Sequence, residues 1–284
     1  MVARLRRFFD VRPGEGLRVL LSFLYIAVVA AAYLLAKPIR NSLFLDQYGA
    51  YPLVYVYAAV PLVLSLFVPV YARVAARFGS RAVTVGSLVF FSSHVVLFWY
   101  AFRFHAGAIA VQGSVAWLLP AAFYVWVNCF GVIATVQSWS FANSLFDTRE
   151  AKRLFGLIAG GASLGAMAAG LLARFLVEPV GGTVNLMLVL SALILAAAAI
   201  VTIANLRLRV RDVFRRGRPA KHPFSDSLRQ IAASPYLRLM AALVFLAAVT
   251  TQWTAFQLSL AADLHFNGDA DALTVFYGTF NFVL

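Results

Sequence analysis

The chain has 284 residues, 62% of them hydrophobic and 12% charged, about half the share of charge in soluble globular domains, near 25%. Its 24 basic and 11 acidic residues give a formal charge of +13. The apolar content argues against a soluble enzyme, and the placement of the basic residues argues against a nucleic-acid partner.

A helix crossing hydrocarbon about 30 Å thick needs roughly 20 mostly apolar residues. Runs of that kind lie near residues 17–37, 50–72, 82–102, 115–141, 155–176, 183–206 and 237–261. An eighth begins near Ala272 and has reached only Leu284 at the end of the sequence, so the chain reads as part of a longer protein. With the first residue in the cytosol, 20 of the 24 basic residues fall on inner segments, and Lys37, Arg40, Arg103 and Arg174 on outer ones. That is the positive-inside asymmetry, and it predicts a multi-pass protein with its N-terminus inside. The basic loops are then expected against a bilayer surface with anionic headgroups. No cleavable signal peptide is visible. The single cysteine, Cys129, sits mid-span, so neither a disulfide framework nor a thiolate metal site is expected.

The first span closes on Lys37-Pro38-Ile39-Arg40-Asn41. Lys37 and Arg40 are three apart, on roughly one helix face. One reading is snorkelling to the headgroups. The other is a cationic clamp for an anionic small molecule, in which Arg40 offers a bidentate fork, Lys37 a point charge and Asn41 neutral hydrogen bonds. Prolines 52, 61 and 69 interrupt the second span, where each removes a backbone donor. His94 is the one ionisable group in the middle of a span; a hydrogen-bonded structural histidine is favoured there over a proton-linked one. No carboxylate lies mid-span, which lowers the odds of proton coupling.

The fourth span carries a polar stripe of Asn128, Thr135, Gln137 and Ser138, with Tyr124, Trp126 and Trp139 nearby for stacking. Interhelical hydrogen bonding and a cavity lining are both open readings. Asp147 and Glu150 form a capping box opening the fifth span, which has small residues four apart at Gly156/Gly160 and Gly161/Gly165 for close helix packing. The longest polar stretch follows the sixth span and contains Arg215-Arg216-Gly217-Arg218-Pro219. Within it, Phe224, Leu228 and Ile231 recur at helical spacing, as in a short helix on the membrane surface. Ser234-Pro235 reads as a cap opening span seven, where Thr250, Thr251, Gln252, Thr254 and Gln257 are dense polarity for a membrane helix.

Six spans, a basic linker and the start of a second block form the layout of major facilitator transporters, whose sites lie near the midplane. The expected fold is therefore an all-α integral membrane bundle: a six-helix half over 1–206, a cytoplasmic linker over 207–236, and the start of a second bundle over 237–284. The inner loop Arg73 to Arg81 looks like a degenerate form of that superfamily's basic loop.

The run Trp139-Ser140-Phe141-Ala142-Asn143 through Glu150-Ala151-Lys152-Arg153-Leu154-Phe155, with Gly160-Gly161-Ala162-Ser163-Leu164-Gly165 after it, resembles the ATP/ADP translocase-like family of bacterial and plastid nucleotide transporters. The Lys37 segment and Phe276-Tyr277-Gly278 also fit. The resemblance implies a twelve-helix carrier in a bacterial inner membrane. Lys37 matches the family's span-one lysine, while Asn128, Thr250 and Thr254 stand where that family has charged residues. The reading is a carrier that moves an organic anion, nucleotides included, by alternating access. Lys37 and Arg40 would hold the negative group, and Asn41, Asn128, Gln137 and Gln252 the neutral polar edges. The alternative is a non-transporting sensor or scaffold attached to a soluble domain. No acid–base or nucleophile–base pair in the spans points to an enzyme, and no cofactor or metal is expected. A reporter fused at Arg215 is expected to be active in the cytosol and closed to membrane-impermeant reagents added outside; labelling from outside would reverse the topology.

Overall fold

A computed structural model describes Arg12, residues 14–208 and residues 224–283. The described residues are helical with short connections. The long helices are α1 (Gly16–Tyr48), α2 (Leu53–Phe78), α3 (Ser80–Phe104), α4 (Leu119–Leu145), α5 (Thr148–Leu176), α6 (Thr183–Arg207) and α7 (Pro235–Phe266), followed by α8 (Ala270–Val283). The seven helices α1 to α7 are long and apolar enough to cross a membrane, as expected of an integral membrane protein, whose backbone polar groups must be satisfied within each helix. The basic stretch around Arg215 lies outside the described residues. The helix expected beyond it runs Phe224–Ala233, and Ser234 caps α7 by accepting from the Leu237 amide, with Pro235 in the first turn.

The bundle is arranged around α1, which packs against α4, α5, α6 and α8. Tyr25, Leu35, Ala36 and Ile39 on this helix are fully buried. Glycine on α5 allows the closest of these approaches. A Cβ at Gly161 would lie 2.6 Å from the Phe23 carbonyl oxygen, and one at Gly165 would lie 2.2 Å from that of Ala27. Gly170 meets α8 in the same way, at the Gly278 carbonyl. Gly156 and Gly160 have the same spacing but face open space. Small residues permit contact only where another backbone lies opposite. Elsewhere, α3 is tied to α6 by Ser92–Ser191 (2.8 Å) and by Trp99 donating to Asn185 (3.0 Å).

Polar contacts fasten both ends of the bundle. At one end Arg18 reaches both carboxylate oxygens of Glu150 (3.1 and 3.2 Å), and Arg153 pairs with Glu15 at 2.6 Å. Glu150 also completes the capping box with Asp147. At the other end the Thr183 amide donates to Asp271 (2.6 Å), the Thr183 hydroxyl to Thr274 (2.9 Å), and the Thr274 hydroxyl to Ser42 (2.8 Å). These bonds join α6, α8 and α1. Asp263 of α7 accepts from the Ala50 amide at 2.9 Å.

Two expectations are corrected. The first helix does not close at Lys37–Asn41; it runs through Pro38 to Tyr48. Proline at 38 cannot donate to the Leu34 carbonyl one turn back, and Asn281 of α8 approaches that carbonyl instead, at 3.5 Å. Beyond the proline, Ser42, Leu43, Phe44 and Leu45 are buried and hold the last turns in place. The second helix is likewise continuous: Pro61 and Pro69 lie inside it, and Pro52 precedes it as the N-cap. Because Gly165 touches backbone and Gly160 does not, Gly165→Leu is expected to destabilise the detergent-solubilised protein by about 1–3 kcal/mol. Gly160→Leu should leave the melting temperature close to that of the parent; equal effects would mean that α5 does not cross α1 at Gly165.

Candidate functional site

The correction to α1 moves its two cations into the bundle. Lys37 lies eleven residues before Tyr48, about 16 Å along the helix at ~1.5 Å per residue. Tyr48 meets Trp117 just ahead of α4, by a hydroxyl-to-carbonyl hydrogen bond and an edge-on ring contact at 4.8 Å. The C-terminal end of α1 therefore lies beside the N-terminal end of α4. Asn128, nine residues into α4, is about 13 Å from that end and so lies at a similar depth to Lys37.

Each cation rests on a tyrosine. The Lys37 Nζ is 4.8 Å from the centre of the Tyr33 ring, and the Arg40 guanidinium carbon is 4.2 Å from that of Tyr124. Cation–ring attraction of this kind is strongest where water is excluded. Tyr33 lies one turn before Lys37 and fits across Gly131 of α4, where a Cβ would come within 2.2 Å of the ring. Tyr124 is packed by Phe44 (5.5 Å) and Tyr57 (6.3 Å). Arg40 Nε donates to the Asn41 side-chain oxygen at 3.2 Å, and Nη1 is buried with no hydrogen-bond partner. Neither cation makes an ion pair among the described residues, whereas Arg18 and Arg153 both do.

Asn128 is half-buried, and its amide donates to the Tyr124 carbonyl at 2.9 Å. Its side-chain oxygen has no hydrogen-bond partner among the described residues. A cavity of about 160 Å³ opens beside this face, between Tyr33, Thr135, Ser138 and Trp139. Lys37, Arg40, Asn41 and Asn128 are thus placed on facing parts of α1 and α4.

The other two sequence candidates lie elsewhere. Gln137 is nine residues after Asn128, a rotation of about 900° that puts it on the opposite face of the helix. It is buried and donates to the hydroxyls of Tyr71 on α2 (2.8 Å) and Ser87 on α3. Gln252 is exposed on α7. The hydroxyls of Thr250, Thr251 and Thr254 bond back to carbonyls of their own helix. His94 bonds the Phe90 carbonyl at 2.8 Å in the same way. Sequence reasoning missed Tyr33, Gly131 and Asn281. A tyrosine four residues before a lysine on a helix is a signal for the first; nothing local announces the other two, which depend on the partner helix.

No protein-family model and no solved structure matches the chain. It is similar to ADP,ATP carrier protein 1 of Chlamydia pneumoniae, 25% identical over an alignment of 288 positions that covers 85% of this chain and 55% of that protein. The chain thus spans about half the length of the curated relative it matches. Because the Tyr33 ring occupies the place of a side chain at Gly131, Gly131→Leu is expected to displace the ring and destabilise the protein by about 1–3 kcal/mol, read as a fall in melting temperature; an unchanged melting temperature would contradict the placement of Tyr33.

Proposed function

We propose that this chain is part of a major-facilitator-type carrier that moves an organic anion by alternating access, with nucleotides among the candidate substrates. The observation that carries the reading is the pair of half-buried cations, Lys37 and Arg40, held on tyrosine faces inside the bundle without a carboxylate. Buried charge in a membrane protein is costly and marks a ligand or ion pathway. Arg40 has one guanidinium nitrogen without a partner, the arrangement expected of a group that completes its hydrogen bonds on a ligand's phosphate or carboxylate. In this reading Lys37 supplies the second positive charge, Asn41 sets the tilt of the guanidinium, and Asn128 offers its amide oxygen to a neutral donor. Gln137 ties α2 and α3 to α4, away from the ligand. The likeness to an ADP,ATP carrier supports transport, and the layout of six helices, a basic linker and a second block supports the facilitator architecture in an inner membrane with the N-terminus inside.

A non-transporting sensor is the second reading. The neutral side chains at Asn128, Thr250 and Thr254, where the resembling family has charges, favour it over strict ATP/ADP exchange. Two measurements on the full-length protein separate the readings. A thermal-shift screen against nucleotides and phosphorylated metabolites should find a stabilising anion, since a ligand that binds the folded state raises its melting temperature. In proteoliposomes the same anion should be taken up. Lys37→Gln and Arg40→Gln should each weaken its binding at least tenfold, about 1.4 kcal/mol. A shift without uptake would favour the sensor; affinity unchanged in both variants would remove the cations from the site.

A further inference from the structure

An apolar hollow lies away from the candidate site. It lies along the hairpin of α2 and α3, has a volume of about 480 Å³, and is bordered by Phe67, Val74 and Phe78 on one helix and by Ala82, Gly86 and Phe90 on the other. The two helices meet at Gly79, whose φ of 81° makes the turn. From that turn the hollow climbs to Phe67 and Phe91, about eleven residues or ~16 Å on each helix, close to the hydrocarbon depth of one leaflet, about 15 Å. The two polar side chains on its wall, Tyr71 and Ser87, both accept the Gln137 amide, which leaves a carbon surface facing outwards. A Cβ on Gly86 would meet nothing within 4 Å, so the hollow is open at that residue.

Two arginines flank the same hairpin. Arg73 and Arg77 lie on the last turns of α2 and are both exposed. Neither has an acidic partner among the described residues, and Arg77 lies 5.7 Å from the Phe78 ring at the mouth of the hollow. A chain-sized apolar channel one leaflet deep, with unpaired cations at its water end, has the polarity profile of a single phospholipid with an anionic headgroup. We infer that the α2–α3 hairpin holds one anionic phospholipid, its acyl chain in the hollow and its phosphate on Arg73 and Arg77. The site is separate from Lys37 and Arg40 and does not depend on the carrier reading.

Native mass spectrometry of the full-length protein, exchanged from detergent with equal amounts of phosphatidylglycerol and phosphatidylcholine, tests this. The expected result is one retained phosphatidylglycerol, preferred roughly tenfold or more over phosphatidylcholine. Arg73→Gln with Arg77→Gln should bring the two lipids to parity. Gly86→Leu should plug the channel and abolish the retained lipid, while Gly86→Ala, one carbon in open space, should keep it. Excess glycerol phosphate should not displace the lipid. Equal retention of both lipids by the parent protein, retention unchanged in Gly86→Leu, or displacement by glycerol phosphate would each overturn the inference. If Gly86→Leu fails to fold, the arginine pair still decides it.

Discussion

A guanidinium away from water must be solvated by protein, and the stack of Arg40 on Tyr124 is how this bundle does so. The ring face lies 4.2 Å from the guanidinium carbon, Asn41 takes the Nε proton, and Nη1 is left over. Tyr124 is in turn fixed between Phe44 and Tyr57. Three helices therefore converge on one charge, and α1 is joined to α4 there. Arg18 and Arg153 are satisfied differently, by carboxylates near the helix termini. The contrast separates charges that fasten the fold through ion pairs from charges held on aromatic faces.

The candidate site depends on α1 continuing beyond its proline, and backbone contacts from other helices surround that stretch. Gly161 and Gly165 bring α5 against the first half of α1, and Gly170 brings α5 against α8. So placed, α8 can offer Asn281 to the Leu34 carbonyl that Pro38 leaves without its usual donor. A break that would end a helix in open lipid is here supported from a neighbouring helix. The relay from Thr183 through Thr274 to Ser42 joins the same helices nearer their ends.

Hydropathy alone located the spans, because a membrane helix is long and apolar whatever it packs against. The end of α1 was not legible: Lys37, Pro38 and Arg40 together look like an exit from hydrocarbon, and only Tyr33, Tyr124 and Asn281, from three different helices, make them an interior. The glycines of α5 teach the same lesson, since Gly156/Gly160 and Gly161/Gly165 have identical spacing and opposite surroundings. The split between Asn128 and Gln137 is legible, being fixed by helical rotation, although a simple reading of polarity puts both in one stripe. The polarity of α7 misleads because all three of its threonine hydroxyls are consumed by their own helix.

A double-mutant cycle on Arg40 and Tyr124 most directly tests the claim that the bundle solvates its cation on an aromatic face. Arg40→Gln, Tyr124→Leu and the double variant would be compared by denaturation of the full-length protein in detergent. The account predicts non-additivity, with a coupling of about 0.5–2 kcal/mol. Effects that simply add would mean that Arg40 and Tyr124 do not interact, and that the charge on α1 is accommodated some other way.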